Sequence, residues 1–595
     1  MEHLQALLEM RQALPLSFSD DGCLLLVGSD VPGTRQLYTV PARGGELRQL
    51  TAFDEPVAGQ FLPDGRILLE MDAGGNERTQ LYLLAAEPGA SPEPLVVDER
   101  FIHSSPQVGR EGTLLAYSTN RRNGTDFDIV ARDLRTGEEQ SFELGGWCDV
   151  AAISPDGRWI AAERLGERTG DSDLFLLDVA TGEVAHATPH DGDAEYGRPA
   201  WLPDGGSFLA PTNAGRDTFA VGRYDVRSRS WDVVVECEWD LDCATDEAGR
   251  SVLVGINEDG YSRLELRDPR TLEVREEVPL PRRGVVDHPM FSKDGSLLAF
   301  AFSSPTEPFD VYVFDLDAHE LQRVTTSPHE VDTATLVEPE LHRFASFDGE
   351  SIPVFLFRPE GNGPFPVVVT VHGGPEAQWR PWFHTSFAPL TQHLLGRGYA
   401  VAAPNVRGST GYGKRFEHLD DVSLRLDSVR DLASLHEWAA AQPGIDGSRA
   451  VLYGRSYGGY MVLAGLAFQP ELWAAGIEMV GISSLVTFLE NTSDYRRAAR
   501  EREYGSLARD RDFLVEASPM THIDAIRAPL FIEHGVNDPR VPLGESQHIA
   551  RVLTEKGIRC ELVVYDDEGH TIEKLANRID CFTRAGAFLD EVLGS

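Results

Sequence analysis

The stretch Ser154-Pro-Asp-Gly-Arg-Trp-Ile-Ala-Ala-Glu decides the fold of the first half of the chain, because variants of it recur at a nearly fixed interval. Each variant joins an apolar residue, a turn rich in Asp, Pro and Gly, and a strand-like run. Glycine suits such turns since it adopts positive φ without steric cost. The turn glycines are Gly22, Gly65, Gly112, Gly157, Gly205, Gly249 and Gly295. Their spacing of 43 to 48 residues predicts seven four-stranded units.

A period in the mid-forties with about four strands per unit is typical of a β-propeller blade. A β-sandwich or a solenoid would have a similar density of strands, but neither predicts near-equal repeats that stop abruptly. The sequence therefore predicts a seven-bladed β-propeller over residues 15–330, preceded by a helix-like segment at residues 1–14.

The pattern changes after Thr325, where a polar linker without a period begins. From about Leu336, strands alternate with helix-length segments, which indicates a mainly parallel sheet covered by helices. Residues 366–371 and 450–454 have the composition of buried strands, and residues 427–442 repeat apolar side chains at helical spacing. We predict a doubly wound α/β-hydrolase domain over residues 336–595.

A nucleophile motif lies between a predicted strand and a predicted helix. Gly454-Arg-Ser456-Tyr-Gly458 matches the G-x-S-x-G elbow, in which a strained turn presents the serine at the end of the sheet. Five residues alone would be a weak match. The apolar strand before it and the apolar helix after it make Ser456 the predicted nucleophile.

A serine hydroxyl needs an imidazole to take its proton and a carboxylate to orient that imidazole. The fold places these groups in the order Ser, acid, His, and Asp538 and His570 each follow a predicted strand in that order. His534 competes less well because it lies on a strand. Asp566 and Asp567 have the positions of turn formers. The predicted triad is therefore Ser456, Asp538 and His570.

Acyl transfer also needs hydrogen-bond donors for the oxyanion. One is expected from the backbone N–H of Tyr457, the residue after the nucleophile. The second is expected from the loop after an early strand, where His372-Gly-Gly-Pro375 allows close approach of the backbone.

Bulk properties limit the partners of the chain. A net charge of -41 without a basic block argues against binding nucleic acid or anionic membranes. The N-terminus lacks the pattern of a signal peptide, and no apolar run is long enough to cross a bilayer, so we expect a cytoplasmic protein. The six cysteines show no metal-binding spacing, and neither a metal nor an organic cofactor is expected.

Together these motifs resemble the prolyl oligopeptidase family, with a branch similar to the acylaminoacyl peptidases. The resemblance rests on the propeller, the His372 loop, Asn405-Val-Arg-Gly-Ser-Thr-Gly-Tyr-Gly, the Ser456 elbow, Asn537-Asp538 and Gly569-His570. It implies cleavage of short peptides through an acyl-enzyme, with the propeller excluding folded proteins. It also implies a homo-oligomer, and a first helix that packs on the hydrolase domain.

The resemblance assigns further site residues. Gly374 and Tyr457 would form the oxyanion hole. Arg497 would hold a substrate carbonyl, although Arg496 and Arg500 are alternatives, and a solvated helix face would explain all three. Residues from Val480 through Ile482 to Leu485 would line an apolar S1 pocket, which core packing explains equally well.

The blades contain no convincing helical Glu-Glu pair of the kind that dipeptidyl peptidases of this family use to hold a free amino terminus. Glu138-Glu139 has the pattern of a hairpin turn. Release of amino-terminal dipeptides is therefore disfavoured at this stage.

The leading hypothesis is a serine peptidase of the acylaminoacyl peptidase or broad oligopeptidase type. A carboxypeptidase that captures a free carboxylate with the arginines between residues 496 and 502 is an alternative. A carboxylesterase would leave the propeller unexplained. A propeller scaffold with an idle hydrolase domain predicts a missing triad member, whereas all three are present.

Overall fold

The computed structural model describes residues 2–385 and 387–594. Seven four-stranded antiparallel sheets are followed by one eight-stranded sheet in this part of the chain. The predicted seven-bladed β-propeller and α/β-hydrolase domain are confirmed.

Each blade uses four consecutive strands. The first four blades contain β1 (Ala13–Phe18), β2 (Leu24–Ser29), β3 (Gln36–Pro41) and β4 (Arg48–Gln49); β5 (Val57–Phe61), β6 (Ile67–Met71), β7 (Gln80–Leu84) and β8 (Glu93–Val96); β9 (His103–Val108), β10 (Leu114–Thr119), β11 (Asp128–Asp133) and β12 (Glu139–Phe142); and β13 (Cys148–Ile153), β14 (Trp159–Leu165), β15 (Ser172–Asp178) and β16 (Val184–His186). The last three contain β17 (Ala200–Trp201), β18 (Ser207–Thr212), β19 (Ala220–Asp225) and β20 (Ser230–Val235); β21 (Asp240–Thr245), β22 (Val252–Glu258), β23 (Tyr261–Arg267) and β24 (Val274–Glu277); and β25 (Val285–Phe291), β26 (Leu297–Ser304), β27 (Glu307–Asp315) and β28 (Glu320–Arg323).

The seven turn glycines of the repeat all have left-handed φ, between 66° and 87°. They lie between the first and second strands of the blades. Because no strand is shared between the first and last blades, the ring closes by packing. Val27 of β2 and Leu297 of β26 belong to one apolar cluster, and the ion pair between Arg43 and Asp315 joins the same two blades.

The hydrolase sheet has the order β29-β30-β32-β31-β33-β34-β35-β36. Its strands are β29 (Glu340–Ala345), β30 (Ser351–Phe357), β31 (Phe365–Val371), β32 (Ala400–Pro404), β33 (Ile445–Arg455), β34 (Ala475–Met479), β35 (Leu530–Gly535) and β36 (Cys560–Tyr565). The first two ladders are antiparallel and the rest are parallel. The central strands are buried on both faces, which explains their continuous apolar runs.

The structure has ten α-helices within the described residues. They are α1 (Glu2–Leu8), α2 (Ala388–Gly396), α3 (Lys414–Glu417), α4 (Arg425–Ala440), α5 (Tyr457–Phe468), α6 (Leu485–Asn491), α7 (Asp494–Tyr504), α8 (Arg511–Glu516), α9 (Gly544–Glu555) and α10 (Leu575–Leu593). Helices α2, α4, α5, α9 and α10 pack on the strands of this sheet. Although α1 precedes the propeller, its Leu4 and Leu8 share an apolar cluster with Leu394 of α2 and Phe588 of α10. The first helix thus ties the chain start to the hydrolase domain.

Among the described residues, no helix is both long enough and apolar enough to span a membrane.

Candidate active site

Ser456 sits in a strained turn between β33 and α5. Its φ and ψ are 59° and -118°, a conformation that non-glycine residues rarely adopt. The backbone N–H of Ser456 donates to the carbonyl of Met479 at 2.9 Å, which anchors the turn to the neighbouring strand. This geometry is that of a nucleophile elbow.

Close backbone packing explains the glycines around Ser456. A Cβ on Gly459 would lie 2.6 Å from the Cα of Gly481. A Cβ on Gly454 or on Gly458 would overlap a backbone carbonyl of the elbow or of β31. Only glycine lets the strand, the turn and the helix approach so closely.

The predicted acid and base are joined by a hydrogen bond. The distance between Nδ1 of His570 and Oδ2 of Asp538 is 2.7 Å, and both side chains are buried. His534, the weaker competitor, is also buried and lies behind the acid, with Nε2 3.6 Å from the same Oδ2. Its Nδ1 is 2.8 Å from the hydroxyl of Ser546, so it supports the acid from β35. The hydrogen bond fixes the orientation of the His570 ring through Nδ1.

Electrostatics keep the pair in the required charge states. Burial lowers the pKa of His570 below its ordinary value, and the attraction of Asp538 does not fully offset this. Burial alone would raise the pKa of Asp538, but His570, His534 and the N–H of Val541 outweigh it and hold that pKa below its usual range. At neutral pH the imidazole is therefore neutral and the carboxylate is ionised.

These directions predict the pH profile. A general base must be deprotonated, so activity falls as the pH drops through the pKa of His570. Because burial lowers that pKa, we expect the acid limb of log(kcat/KM) to have its midpoint below the 6.5 of an unperturbed histidine. The measurement is kcat/KM between pH 4.5 and 9. An acid midpoint above 6.5 would contradict the burial of the base.

Ser456 and His570 line the same cavity, which has a volume of about 300 Å³. Gly373 and Gly374 of the predicted oxyanion loop also border it. Its other lining groups are mainly aromatic or cationic: Phe357, Trp379, Trp382, Phe387, Arg380, Arg455 and Arg540. The cavity therefore joins the nucleophile, the base and the oxyanion loop to a space with aromatic and cationic walls that can take a side chain.

The predicted oxyanion donors flank the nucleophile. Tyr457 is the first residue of α5, where backbone N–H groups are not used within the helix. A Cβ on Gly373 would lie 3.5 Å from the Cβ of Ser456, so the loop passes directly over the elbow. His372 braces this loop, since its Nε2 is 2.8 Å from the hydroxyl of Ser409. Burial lowers the pKa of His372 to about 4, so this ring stays neutral.

The structure does not bring Arg497 or Arg496 to the lining of this cavity. The guanidinium of Arg497 donates to the carbonyls of Leu489 and Glu490 at the end of α6, at 2.8 and 3.2 Å. Arg496 lies over the ring of Trp147 in the propeller. The last carbonyl groups of α6 have no hydrogen-bond partner within that helix, and they accept from the guanidinium of Arg497 instead.

Val480 and Ile482 also lie outside the lining of the cavity. Both are fully buried, and Ile482 belongs to the main apolar core of the hydrolase domain. In this structure their contacts are those of core packing, the alternative that the sequence left open.

Sequence reasoning missed Arg540. It lies two residues after Asp538, lines the cavity beside Ser456 and pairs with Glu77 of the propeller, with 2.5 Å between Nε and Oε1. The sequence did contain one signal. A basic residue two positions after the predicted acid must lie in the same loop, at the same rim of the sheet as the predicted triad.

One group of carboxylates in the described part of the chain has metal-like spacing: Asp420, Asp421 and Glu503. The guanidinium of Arg425 forms ion pairs with Asp420 and Glu503, so a cation already balances two of the three. This donor set fits an arginine-centred ion-pair network better than a metal ion.

An elbow serine over a parallel sheet, with a hydrogen-bonded His-Asp pair at the same rim and a propeller above it, defines a serine peptidase with an α/β-hydrolase domain. The family model described as "Prolyl oligopeptidase family" matches residues 385–595. The model described as "Prolyl oligopeptidase, N-terminal beta-propeller domain" matches residues 146–327. The chain belongs to the prolyl oligopeptidase family.

Two relatives and one solved structure show what the chain is similar to. The chain is 27% identical to dipeptidyl aminopeptidase BIII of Pseudoxanthomonas mexicana, over 97% of this chain and 86% of that one. It is 25% identical to the acylamino-acid-releasing enzyme of Rattus norvegicus, over 42% of this chain and 35% of that one. A solved structure of puromycin hydrolase has the same fold, with a TM-score of 0.87 and 19% identity over 99% of this chain and 96% of that one.

Proposed function

We propose that the protein hydrolyses short peptides through an acyl-enzyme formed on Ser456, with His570 as general base and Asp538 as its orienting carboxylate. The observation that carries this proposal is the 2.7 Å hydrogen bond between Asp538 and His570, at a cavity that Ser456 also lines.

The steps follow from the placement of these groups. Nε2 of His570 takes the proton from Ser456 as Oγ attacks the carbonyl carbon, and later gives it to the leaving amine. The backbone N–H groups of Gly374 and Tyr457 stabilise the negative oxygen of the tetrahedral intermediate. Water then attacks the acyl carbon while His570 takes its proton. The bond between the acyl carbon and Oγ breaks as His570 returns that proton to Ser456, and the carboxylic acid product leaves.

We further propose that the preferred substrates carry a free amino terminus. The relative that matches almost the whole chain is named a dipeptidyl aminopeptidase, whereas the acylamino-acid-releasing enzyme matches less than half of it. This reverses the expectation from the missing Glu-Glu pair. Glu139 does not supply that pair, because it begins strand β12 rather than lying in a helical segment.

Glu376 is the group that we assign to the substrate ammonium. It lies on the oxyanion loop between Gly374 and Ala377, which both border the cavity, although its own side chain is not part of the cavity lining. Burial would raise its pKa, but the guanidinium of Arg500, at 3.4 Å, and other arginines hold that pKa below its ordinary value. A half-buried, ionised carboxylate on the oxyanion loop is suited to bind an ammonium group.

The surroundings of Glu376 contain several other buried carboxyl groups. Burial raises the pKa of Glu195, on the propeller side, and raises that of Glu417 to about 9, with further contributions from the neighbouring carboxylates. Burial also raises the pKa of Glu503 to about 7. An incoming ammonium group would favour the ionised form of these carboxyl groups and be attracted to it, whereas an acetylated terminus would not.

The experiment compares chromogenic dipeptide and single-residue anilides that have either a free or an acetylated amino group. We expect the wild type to prefer the free amine, and Glu376→Gln to lower kcat/KM for it by about 10- to 100-fold, which is the typical cost of a charge-assisted contact of ~1.5–3 kcal/mol. The acetylated substrates should change much less, so the ratio between the two reports the ammonium contact.

Glu490→Gln is a matched control, because Glu490 pairs with Arg511 on the surface of the hydrolase domain. It should leave the ratio unchanged. A wild type that prefers the acetylated substrates would contradict the amino-terminal assignment and return the protein to the acylaminoacyl peptidase type. A preference that Glu376→Gln does not alter would contradict the role of Glu376.

A further inference from the structure

The propeller loop at residues 72–78 connects β6 and β7 and faces the hydrolase domain. Three of its residues have left-handed φ: Gly74 at 60°, Gly75 at 73° and Glu77 at 55°. The carboxylate of Asp72 accepts a hydrogen bond from the backbone N–H of Glu77 at 2.8 Å. The loop therefore has a specific shape that its own side chain stabilises.

This loop is in backbone contact with the loop that carries His570. A Cβ on Gly75 would lie 2.7 Å from the N of Gly569 and 3.0 Å from its Cα. The converse also holds, because a Cβ on Gly569 would overlap the carbonyl of Gly75. Gly569 immediately precedes His570, so this contact fixes the backbone from which the imidazole projects.

The same loop holds the segment that carries Asp538. Nδ2 of Asn537 donates to the carbonyl of Gly74 at 3.0 Å, and Asn537 immediately precedes Asp538. Glu77 accepts from Nε of Arg540, two residues after Asp538, at 2.5 Å. The propeller thus contacts this segment on both sides of the acid.

The two hydrolase loops are also joined to each other. The backbone N–H of Asn537 donates to the carbonyl of Glu568 at 3.0 Å. A Cβ on Gly535 would overlap the carbonyl of Gly569. The propeller loop therefore packs on a composite surface made from the ends of β35 and β36, rather than on either loop alone.

We propose that the 72–78 loop is a positioning element for the catalytic acid and base, so that the Asp538–His570 pair reaches its productive geometry only with the propeller docked through Gly74, Gly75 and Glu77. This proposal rests on the catalytic roles proposed above. Catalysis of this kind is sensitive to distance, and a misplacement of about 1 Å can cost ~100-fold in rate. No residue of the loop needs to touch substrate for this effect.

The test is Gly75→Ala. Its methyl group would press on Gly569, so we expect kcat, and the rate of labelling by a fluorophosphonate, to fall by about 10- to 100-fold, with KM changed little. Gly124→Ala is the matched control: Gly124 lies in the corresponding loop of the next blade, between β10 and β11. It has a φ of 81°, and no atom lies within 4 Å of an added Cβ. Gly124→Ala therefore places an alanine at a similar positive φ, but the added methyl group contacts no neighbouring loop.

Asn537→Ala provides a second variant in case Gly75→Ala fails to fold. It removes the hydrogen bonds from Nδ2 of Asn537 to the carbonyls of Gly74 and Asp566 without adding volume. We expect a smaller loss of kcat together with an acid limb of the pH profile shifted from that of the wild type. Asn491→Ala is its control, because Asn491 is exposed and bonds only within α6 in the described structure. A role limited to stability would lower the melting temperature without moving the pH profile.

The outcomes separate the two proposals. If the wild type is not labelled at Ser456, the proposed function fails. If the wild type is labelled, and folded Gly75→Ala and Asn537→Ala match their controls in kcat, labelling rate and pH profile, the catalytic roles stand and the positioning role is overturned.

Discussion

Ser456→Ala is expected to abolish peptidase activity while leaving the fold intact. Removing the nucleophile of a Ser-His-Asp site typically lowers kcat by about 10⁴- to 10⁶-fold, because the remaining groups act as a unit with it. The folded state should change little, since the serine and the alanine would both occupy the same strained φ of 59°. The measurements are hydrolysis of a free-amine dipeptide anilide, covalent labelling by a fluorophosphonate, and the melting temperature.

Ser228→Ala serves as the control for this variant. Ser228 lies in an exposed turn of the propeller, where its hydroxyl bonds to Asp225. It should retain both activity and labelling. If Ser456→Ala kept more than a small residue of activity, or was still labelled at the wild-type rate, the hydrolysis would have to proceed through another nucleophile.

The sequence was sufficient to predict those features that depend on particular residue types at fixed spacings along the chain. The elbow was recognisable because Gly454, Gly458 and Gly459 must each lack a Cβ for the strand, turn and helix to meet. The chain order of the predicted acid and base followed from the hydrolase fold, and their common rim followed from the parallel sheet, which brings the carboxyl ends of its strands to one edge. The propeller was recognisable because every blade needs a glycine with positive φ at the same turn.

The sequence was insufficient where the direction of a side chain decides its role. The arginines of α7 have similar local patterns, yet Arg497 turns to the carbonyls of α6 while Arg500 pairs with Glu376. The role of Arg540 depends on Glu77, a residue 463 positions away in the chain. The pair of Arg540 and Glu77 forms only when the propeller docks on the hydrolase domain, and no local sequence pattern encodes it.

The buried network around Arg425 is a second feature that only the fold reveals. The guanidinium is fully buried, forms ion pairs with Asp420 and Glu503, and lies over the rings of Tyr457 and Tyr504 at 5.2 and 4.8 Å. The hydroxyl of Tyr457 donates to Asp420 at 3.2 Å. The residue that supplies a predicted oxyanion donor is therefore held by this network.

The network also reaches the propeller. The hydroxyl of Thr169 donates to the carboxylate of Glu503 at 3.0 Å, across the boundary between the domains. Burial raises the pKa of Asp420 and of Glu503, so both carboxylates depend on the guanidinium for their charge. Loss of that guanidinium would leave two buried acids without their cation.

Arg425→Met is therefore expected to destabilise the hydrolase domain by about 3–5 kcal/mol, the usual cost of breaking a buried ion pair by removing one partner. We also expect a lower kcat, because Tyr457 loses the group that orients its ring. Denaturant unfolding followed by loss of activity and by tryptophan fluorescence would measure both effects. Separate transitions for the two domains are expected, so the midpoint of the hydrolase transition is the quantity to compare.

The triple variant Arg425→Met, Asp420→Asn, Glu503→Gln distinguishes charge from packing. If uncompensated charge is the cause, neutralising both acids should restore most of the lost stability, because replacing a whole buried ion-pair group is far less costly than breaking it. Stability that stays low in the triple variant would assign the loss to the packing of the guanidinium between Tyr457 and Tyr504. A single Arg425→Met variant as stable as the wild type would show that the network contributes nothing to the fold, and the link from the propeller to the oxyanion residue would have no energetic basis.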